Sequence, residues 1–299
     1  MFENKKIFIF GMAKSGFWAA KLLSKYNNEI LVTDSKEQNP DHVKELEKLN
    51  VKIVITDNQL DLLDETFDIM IKNPGPKDVK IIGITGSNGK TTTTTIIYNI
   101  LKRQYDNVYL AGNIGYPLSQ VVSELKEHDI LVMEISDHQL CDMYEFKTNI
   151  SLLLNIVPAH LDFHGSYEKY KSMKKRIFNH RTEEDIAILN YDSEEVIELT
   201  KDIKSKKLYF SKDTKKDCYL KENDIFYKEN KIISTNEIRL KGMHNYENIM
   251  AAIMAVKQFD VDNKHIIDEL SIFNGVEHRI EYVRTINGVD YYNDSKGTN

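Results

Sequence analysis

Short apolar runs alternate with amphipathic stretches along most of the chain. Between the apolar runs Ile7–Phe10 and Ile30–Thr33, the segment from Lys14 to Lys25 carries apolar side chains at helical spacing. The same alternation predicts strands at Val51–Ile55, Asp68–Ile71, Val79–Ile84, Val108–Leu110, Ile130–Ile135, Asn149–Leu154 and Asp185–Leu189, and helices at His42–Leu49, Thr92–Lys102, Pro117–Leu125, Tyr167–Phe178, Asn245–Phe259 and Lys264–Ile272. Repeated strand–helix–strand order predicts an α/β fold, with parallel sheets covered by helices.

The pattern is interrupted near Lys77 and changes character after Lys207. The run Asn73-Pro74-Gly75-Pro76 breaks the chain, which predicts two domains, residues 1–77 and 78–299. From Lys207 to Arg239 the runs become short and rich in aromatic residues, with charged turns, which predicts an antiparallel ribbon or meander. Near the end, Asn287-Gly288 between two apolar runs predicts a hairpin turn.

Composition narrows the class of protein. The chain has 299 residues, 41% of them hydrophobic, which is enough to fill two ordinary cores and excludes general disorder. Its 40 Lys+Arg and 46 Asp+Glu give a formal charge of −6, which argues against a basic nucleic-acid-binding face. Two cysteines, Cys141 and Cys218, are too few for a disulfide framework, and no apolar run is long enough to span a membrane. We therefore expect a cytoplasmic protein without nucleic-acid or membrane partners.

The strongest local motif is Gly86-Ser87-Asn88-Gly89-Lys90-Thr91-Thr92, which lies between a predicted strand and a predicted helix. In that context, backbone N–H groups and the helix N-terminus can surround phosphate oxygens, a lysine can reach the β and γ phosphates, and a threonine hydroxyl can ligate Mg²⁺. Ile84 stands where a strict Walker A motif has its first glycine. The alternative is a simple turn that caps a helix.

The turn Gly11-Met12-Ala13-Lys14-Ser15-Gly16 is a weaker signal. It is similar to a Rossmann turn but lacks the complete glycine pattern, and Asp34 ends the next strand, where a ribose-binding acid would lie. These residues alone leave a nucleotide site and a tight strand–helix turn equally open.

Five further segments follow the phosphate loop in a specific order. They are Ala111–Gly115, Met133–Leu140, Asn155–Gly165, Leu240–Asn248, and His278–Glu281 together with Asn293–Asn299. In this order they resemble the Mur ligases. The resemblance implies a Rossmann-like N-terminal domain that binds a uridine diphosphate, followed by a central P-loop-type ATP-binding domain. It also implies a third domain, beyond Asn299, that holds most of the incoming amino acid, so that the present chain is expected to be inactive alone.

The resemblance implies an ATP-dependent amide-forming reaction. ATP phosphorylates the carboxylate of UDP-N-acetylmuramoyl-L-alanine, and the D-glutamate amine then displaces phosphate from the acyl phosphate, a step of peptidoglycan precursor synthesis. Phosphorylation supplies the leaving group that a carboxylate lacks, and cations offset the repulsion between two anionic partners. The turn around Ser15 and the segment Asn293–Asn299 favour the D-glutamate-adding branch of the family.

The resemblance also assigns roles to particular residues. It implies catalytic roles for Lys90, His160 and Lys174. It implies two Mg²⁺ ions, with Thr91, Glu134, His160 and a carbamylated Lys174 as metal ligands. It implies contacts with ATP by Gly86, Ser87, Asn88, Gly89, Lys90, Thr91, Thr92, Asn245, Asn248, Arg279, Asp294, Lys296 and Thr298. It implies contacts with the UDP substrate by Ser15, Asp34, Ser35, Asn73, Asn113, Ser136 and Gln139.

Each of these assignments has a structural alternative. Glu134 could be a carboxylate at an exposed sheet edge, His160 a satisfied loop histidine, and Lys174 part of a solvated helix face. Asn245 and Asn248 could cap the following helix.

Departures from the family pattern, chiefly Asp137 and His138 in place of a serine and an aromatic residue, point to an altered cleft. His138 and His164 are expected to lie outside the ligand set. The alternatives for function are a non-catalytic fragment that binds UDP-sugar and ATP, and a sibling ligase such as a folylpolyglutamate-type enzyme. A monomer is expected.

Overall fold

The computed structural model describes residues 3–12, 14–72, 78–116, 118, 121, 124–143, 146–276, 281–293 and 295. The chain divides into two compact units, Met1–Lys77 and Asp78–Asn299. Each unit is built on its own sheet, and the predicted α/β class is confirmed.

The first unit contains a parallel four-stranded sheet in the order β3-β2-β1-β4. Its elements are β1 (Lys6–Phe10), α1 (Lys14–Leu23), β2 (Glu29–Asp34), α2 (Pro40–Lys48), β3 (Lys52–Ile55) and β4 (Ile69–Lys72). The Asn39 side chain accepts from the Asp41 N–H at 2.9 Å and Pro40 fills the first helical position, which together fix the start of α2. Apolar side chains of β1, β2 and the two helices form the core of this unit.

The second unit contains a nine-stranded sheet among its described residues, in the order β13-β12-β11-β10-β9-β8-β5-β7-β6. The strands are β5 (Lys80–Thr85), β6 (Val108–Gly112), β7 (Ile130–Glu134), β8 (Ile150–Leu153), β9 (Ile186–Asn190), β10 (Lys206–Ser211), β11 (Cys218–Lys221), β12 (Asp224–Tyr227) and β13 (Asn230–Ser234). The predicted antiparallel segment is correct for β11 to β13. It is wrong for β10, which runs parallel to both β9 and β11 and so extends the parallel sheet.

Helices cover this sheet and close its core. They are α3 (Lys90–Gln104), α4 (Asp137–Asp142), α5 (Leu161–His164), α6 (Tyr167–Lys175), α7 (Glu194–Leu199), α8 (Met243–Val256) and α9 (Asn263–Ile272). All eight residues from Ile249 to Val256 have no exposed surface, because α8 packs against both α3 and the sheet. The short helices α4, α5 and α7 were not predicted, since each is too short to show a helical period.

A hairpin ends the described part of the chain. Strands β14 (Glu281–Ile286) and β15 (Val289–Asn293) pair antiparallel, and Asn287 and Gly288 both have positive φ, which confirms the predicted turn. The predicted helix Pro117–Leu125 falls largely outside the described residues. No helix in the described ranges combines the length and apolar character that crossing a membrane requires.

Candidate active site

The loop Gly86–Gly89 joins β5 to the N-terminus of α3. Gly89 has a φ of +82°, and a Cβ at this position would lie 2.2 Å from Asn248 Oδ1. Only glycine satisfies both the backbone conformation and the close approach of α8. The loop therefore passes directly beneath one of the two asparagines predicted to contact ATP.

Side chains from outside the loop hold it in place. Ser87 Oγ lies 2.7 Å from Tyr170 Oη on α6 and accepts from the Val157 N–H at 2.9 Å. The Asn155 side chain accepts from the Asn88 N–H at 2.8 Å and donates to the Asn88 carbonyl at 3.1 Å. These bonds tie the loop to the segment that follows β8 and leave its conformation little freedom.

Lys90 is the first residue of α3, and its side chain folds back over the loop. Its Nζ donates to the carbonyl oxygens of Gly86 and Ser87, both at 2.9 Å. The ammonium group thus lies at the concave side of a helix N-terminus, where partial positive charge from the helix adds to it. This is an arrangement that attracts a polyphosphate.

Four buried side-chain oxygen atoms at the end of β7 and the start of α3 have no hydrogen-bond partner among the described residues: Glu134 Oε2 and the Oγ1 atoms of Thr91, Thr93 and Thr94. Glu134 ends β7 opposite Ile84, and it is only 1% exposed, so the alternative of an exposed sheet-edge carboxylate is wrong. Its other oxygen accepts from the Asn113 side chain at 2.8 Å. A buried carboxylate oxygen and a buried hydroxyl without partners fit the oxygen ligands that Mg²⁺ prefers.

Asp137 is the centre of a second polar cluster, which sequence reasoning did not identify. Its Oδ2 lies 2.7 Å from His164 Nε2, 2.9 Å from His160 Nδ1 and 3.4 Å from His138 Nδ1. Its Oδ1 lies 3.3 Å from Lys174 Nζ. The structure therefore places His160 and Lys174 against the two oxygen atoms of one carboxylate, Asp137, which the prediction did not include. The available signal was the unusual Asp137-His138 pair.

Burial and charge shape the ionisation of this cluster. Burial, together with the neighbouring Lys90 cation, lowers the pKa of Lys174 to about 8, although the Asp137 carboxylate opposes the shift. Lys174 has no exposed surface, so the alternative of a solvated helix face is wrong. Burial alone would raise the pKa of Asp137, but hydrogen bonds from His164 and His160 and the Lys174 charge outweigh it and hold that pKa well below its usual range. Asp137 is thus an anion at neutral pH.

A cavity of about 880 Å³ opens over the loop. The predicted residues that line it are Ser87, Asn88, Gly89, Lys90, Thr91, Thr92, His160, Asn245 and Asn248. Polar lining residues that were missed are Asp137, Asn155, Tyr170, Asn190, Asp192, Ser193, Arg239, Lys241, His244, Glu247 and Asn274. Six of them lie in loops, namely Asn155, Asp192, Ser193, Arg239, Lys241 and Asn274. Besides Asp137, the residue with a local sequence signal is Lys241, a charged side chain next to Gly242 in the motif that begins α8.

Some predicted substrate residues have structural roles in the described chain. Ser136 and Gln139 form a reciprocal capping box at the start of α4. Asn113 orients the Glu134 carboxylate, as described above. In the first unit, Asp34 Oδ2 accepts from the Met12 N–H at 2.7 Å and so holds the turn after β1. Its Oδ1 accepts from the Lys36 N–H at 3.1 Å, in the turn after β2.

Several predicted residues cannot be placed. Asn73, Arg279, Asp294, Lys296, Thr298 and the side chain of Ser15 lie outside the described part of the chain. Their roles stay predictions.

Comparison with known proteins supports one family. Residues 84–256 match the family described as Mur ligase middle domain. A UDP-N-acetylmuramoylalanine–D-glutamate ligase of Staphylococcus aureus (strain MW2) is 41% identical over 99% of this chain and 72% of its own length. One from Geobacillus sp. (strain WCH70) is 39% identical over 100% of this chain and 73% of its length.

Solved structures share the fold at lower identity. MurF ligase from Thermotoga maritima, in complex with ADP, has a TM-score of 0.58 at 21% identity and covers 98% of this chain and 68% of its own. MurF from Acinetobacter baumannii has a TM-score of 0.61 at 16% identity and covers 98% of this chain and 65% of its own.

Proposed function

The chain belongs to the Mur ligase family, and we propose that its 880 Å³ cavity is where ATP meets the carboxylate of UDP-N-acetylmuramoyl-L-alanine. Its function is that of the branch that joins D-glutamate to this substrate in peptidoglycan synthesis. The observation that carries the proposal is the loop Gly86–Gly89, with Lys90 folded over it and Asn248 against it. The sibling and non-catalytic alternatives have no comparable support, because the curated relatives at 39–41% identity are named for D-glutamate addition.

The reaction follows from the charges that the cavity gathers. A carboxylate oxygen attacks the γ-phosphorus and ADP leaves, after which the amine of D-glutamate attacks the acyl carbon, phosphate leaves and the nitrogen loses a proton. Lys90 and the N-terminus of α3 stabilise phosphate charge as it moves from the γ position to the acyl phosphate. Asn245 and Asn248, which line the same cavity, are proposed to contact the adenine side of ATP.

Thr91 and Glu134 are proposed to hold the first Mg²⁺. Their partnerless buried oxygen atoms support this, and Asn113 keeps the Glu134 carboxylate oriented. When bound, Mg²⁺ would neutralise phosphate charge. A second divalent cation is proposed near His160 and Lys174, as the resemblance implies.

We also propose that Lys174 can be carbamylated. Its pKa of about 8 supports this, because at neutral pH a larger share of the amine is neutral than in an ordinary lysine, and only the neutral amine reacts with CO₂. The reaction forms an N–C bond and releases one proton. A ¹³C signal from labelled bicarbonate that is present in the wild type and absent in Lys174→Arg would test it, and an unchanged signal in the variant would refute it.

The first unit, residues 1–77, is proposed to bind the uridine diphosphate through Asp34, Ser35, Ser15 and Asn73. Asn113, Ser136 and Gln139 of the second unit are proposed to contact the muramoyl part. The protein is proposed to act as a cytoplasmic monomer, in keeping with a sequence that has two cysteines, too few for a disulfide framework.

The proposed function is tested in two arms. Titration calorimetry should show binding of Mg·ATP and of UDP-N-acetylmuramoyl-L-alanine, and mixing both should give an acyl phosphate that can be trapped by borohydride reduction. Lys90→Met should abolish the trapped product while leaving the affinity for the UDP substrate unchanged. Absence of UDP-substrate binding by the wild type would refute the assignment, and binding without any acyl phosphate would favour the non-catalytic alternative.

A further inference from the structure

Three imidazole nitrogens converge on one oxygen of a buried carboxylate at the rim of the cavity. His160 Nδ1, His164 Nε2 and His138 Nδ1 all lie within 3.4 Å of Asp137 Oδ2. Ligand atoms of Asp137, His138 and His160 lie within 4.8 Å of one another, close enough to hold one metal ion. Such a set of one carboxylate and two imidazoles differs in chemistry from the oxygen pair at Thr91 and Glu134.

The four side chains that contact Asp137 differ in their exposure to solvent. His164 is only 3% exposed, so it holds the carboxylate from the protein side, as buried partners of metal ligands do. His138 and His160 are 48% and 44% exposed, so both imidazole rings are accessible from solvent, and His160 also lines the cavity. Lys174 contacts the opposite oxygen, Oδ1, and thus leaves Oδ2 to face the imidazoles.

The donor atoms decide which metals fit. Mg²⁺ takes oxygen ligands and retains its waters, whereas imidazole nitrogen suits Zn²⁺ and other first-row transition ions. Two histidines and one carboxylate with an open position are ligands of catalytic zinc sites. We propose that Asp137, His138 and His160 form a site for a divalent transition-metal ion, of which Zn²⁺ is the probe, and that this site discriminates against Mg²⁺.

This inference deepens the proposed function, because the ion would be the second cation beside the phosphate loop. It also changes the sequence-based expectation, in which His138 lay outside the ligand set. The test is made without nucleotide or UDP substrate. A failure to bind the metal ion would therefore not contradict the proposed ligase function, and an absence of ligation would not contradict the metal site.

The first measurement is Zn²⁺ titration of the whole chain in excess Mg²⁺. The wild type should bind one Zn²⁺ at this site, and His138→Phe should weaken that affinity by at least about tenfold, since loss of even an indirect partner of a metal ligand costs that much. His138 is half exposed, so its replacement by another aromatic residue should leave folding intact. The matched control is His128→Asn, which removes an exposed imidazole from a position with a φ of +70° that asparagine tolerates.

The second measurement identifies the ligand atoms. Long-range ¹H–¹⁵N spectra of the histidine rings should show Zn²⁺ bound through Nδ1 of both His138 and His160, because those are the nitrogen atoms that face Asp137. Zn²⁺ binding that is equally tight in His138→Phe, or spectra in which neither ring changes, would overturn the proposal. Displacement of Zn²⁺ by millimolar Mg²⁺ would overturn the claimed selectivity.

Discussion

Replacing Gly89 by alanine tests whether α8 fixes the phosphate loop. The new Cβ would require a non-glycine residue at a φ of +82° and would lie 2.2 Å from Asn248 Oδ1. The left-handed backbone costs about 1–2 kcal/mol, and pushing Asn248 out of its rotamer costs about 1 kcal/mol more. We expect Gly89→Ala to lower the free energy of unfolding by about 2–3 kcal/mol.

Gly165→Ala is the matched control. Gly165 has a φ of +75°, but a Cβ there would meet no heavy atom within 4 Å, so only the backbone cost of about 1–2 kcal/mol applies. Urea unfolding of the whole chain, followed by circular dichroism, measures both variants.

The difference between the two variants isolates the contact with Asn248. Adding Asn248→Ala to Gly89→Ala should recover about 1 kcal/mol in a double-mutant cycle, because the side chain that clashes is gone. The dissociation constant for Mg·ATP should rise about tenfold in Gly89→Ala, which corresponds to about 1.4 kcal/mol. Equal losses of stability in Gly89→Ala and Gly165→Ala would refute the reasoning.

Three further predictions concern the residues around the loop. Glu134→Gln should reduce acyl-phosphate formation by about 10²-fold or more in a single-turnover assay, because a charge contact made in the transition state is lost. The affinity for the UDP substrate should be unchanged. A smaller effect on acyl-phosphate formation would argue against Glu134 as a metal ligand. Tyr170→Phe should lower the free energy of unfolding in urea by about 1 kcal/mol, because Ser87 loses a hydrogen bond of 2.7 Å. Tyr167→Phe removes a hydrogen bond of 3.4 Å and should lower it by less. The reverse order would contradict the structure. The folded state lowers the pKa of Asp137, so the contribution of this carboxylate to stability should be complete above about pH 4 and be lost as the pH falls further. Asp137→Asn should remove that part of the acid dependence of unfolding. An acid profile that is unchanged in the variant would count against the ion pairs of Asp137.

Regular features could be predicted from the sequence because they repeat. The strands of the first unit and the helix after the phosphate loop follow hydrophobic periodicity. The motif Gly89-Lys90-Thr91 lies between a strand and a helix, as the flanking sequence predicts. The direction of β10 could not be predicted, because a short half-buried strand has the same pattern in parallel and antiparallel pairing.

The site was harder to predict where it depends on single side chains brought together by the fold. His160 and Lys174 were found through the order of motifs, but nothing local in the sequence shows that Asp137 lies between them. Tyr170 looked like one of many aromatic residues, and its bond to Ser87 joins positions 83 residues apart. Contacts of that range come from topology, which periodicity does not encode.

The burial of α8 has a consequence for how the protein reaches its native state. Helix α3 begins at Lys90, directly after the phosphate loop, whereas the helix that packs against α3 is α8, which spans Met243–Val256. Helix α8 also carries Asn248, the residue that contacts Gly89 of the loop. During synthesis the early strands and α3 can form, but their apolar face stays exposed until most of the chain has been made. Pairing across such a distance slows folding and leaves an aggregation-prone intermediate. The phosphate loop is therefore among the first parts of the chain to emerge and among the last to be completed.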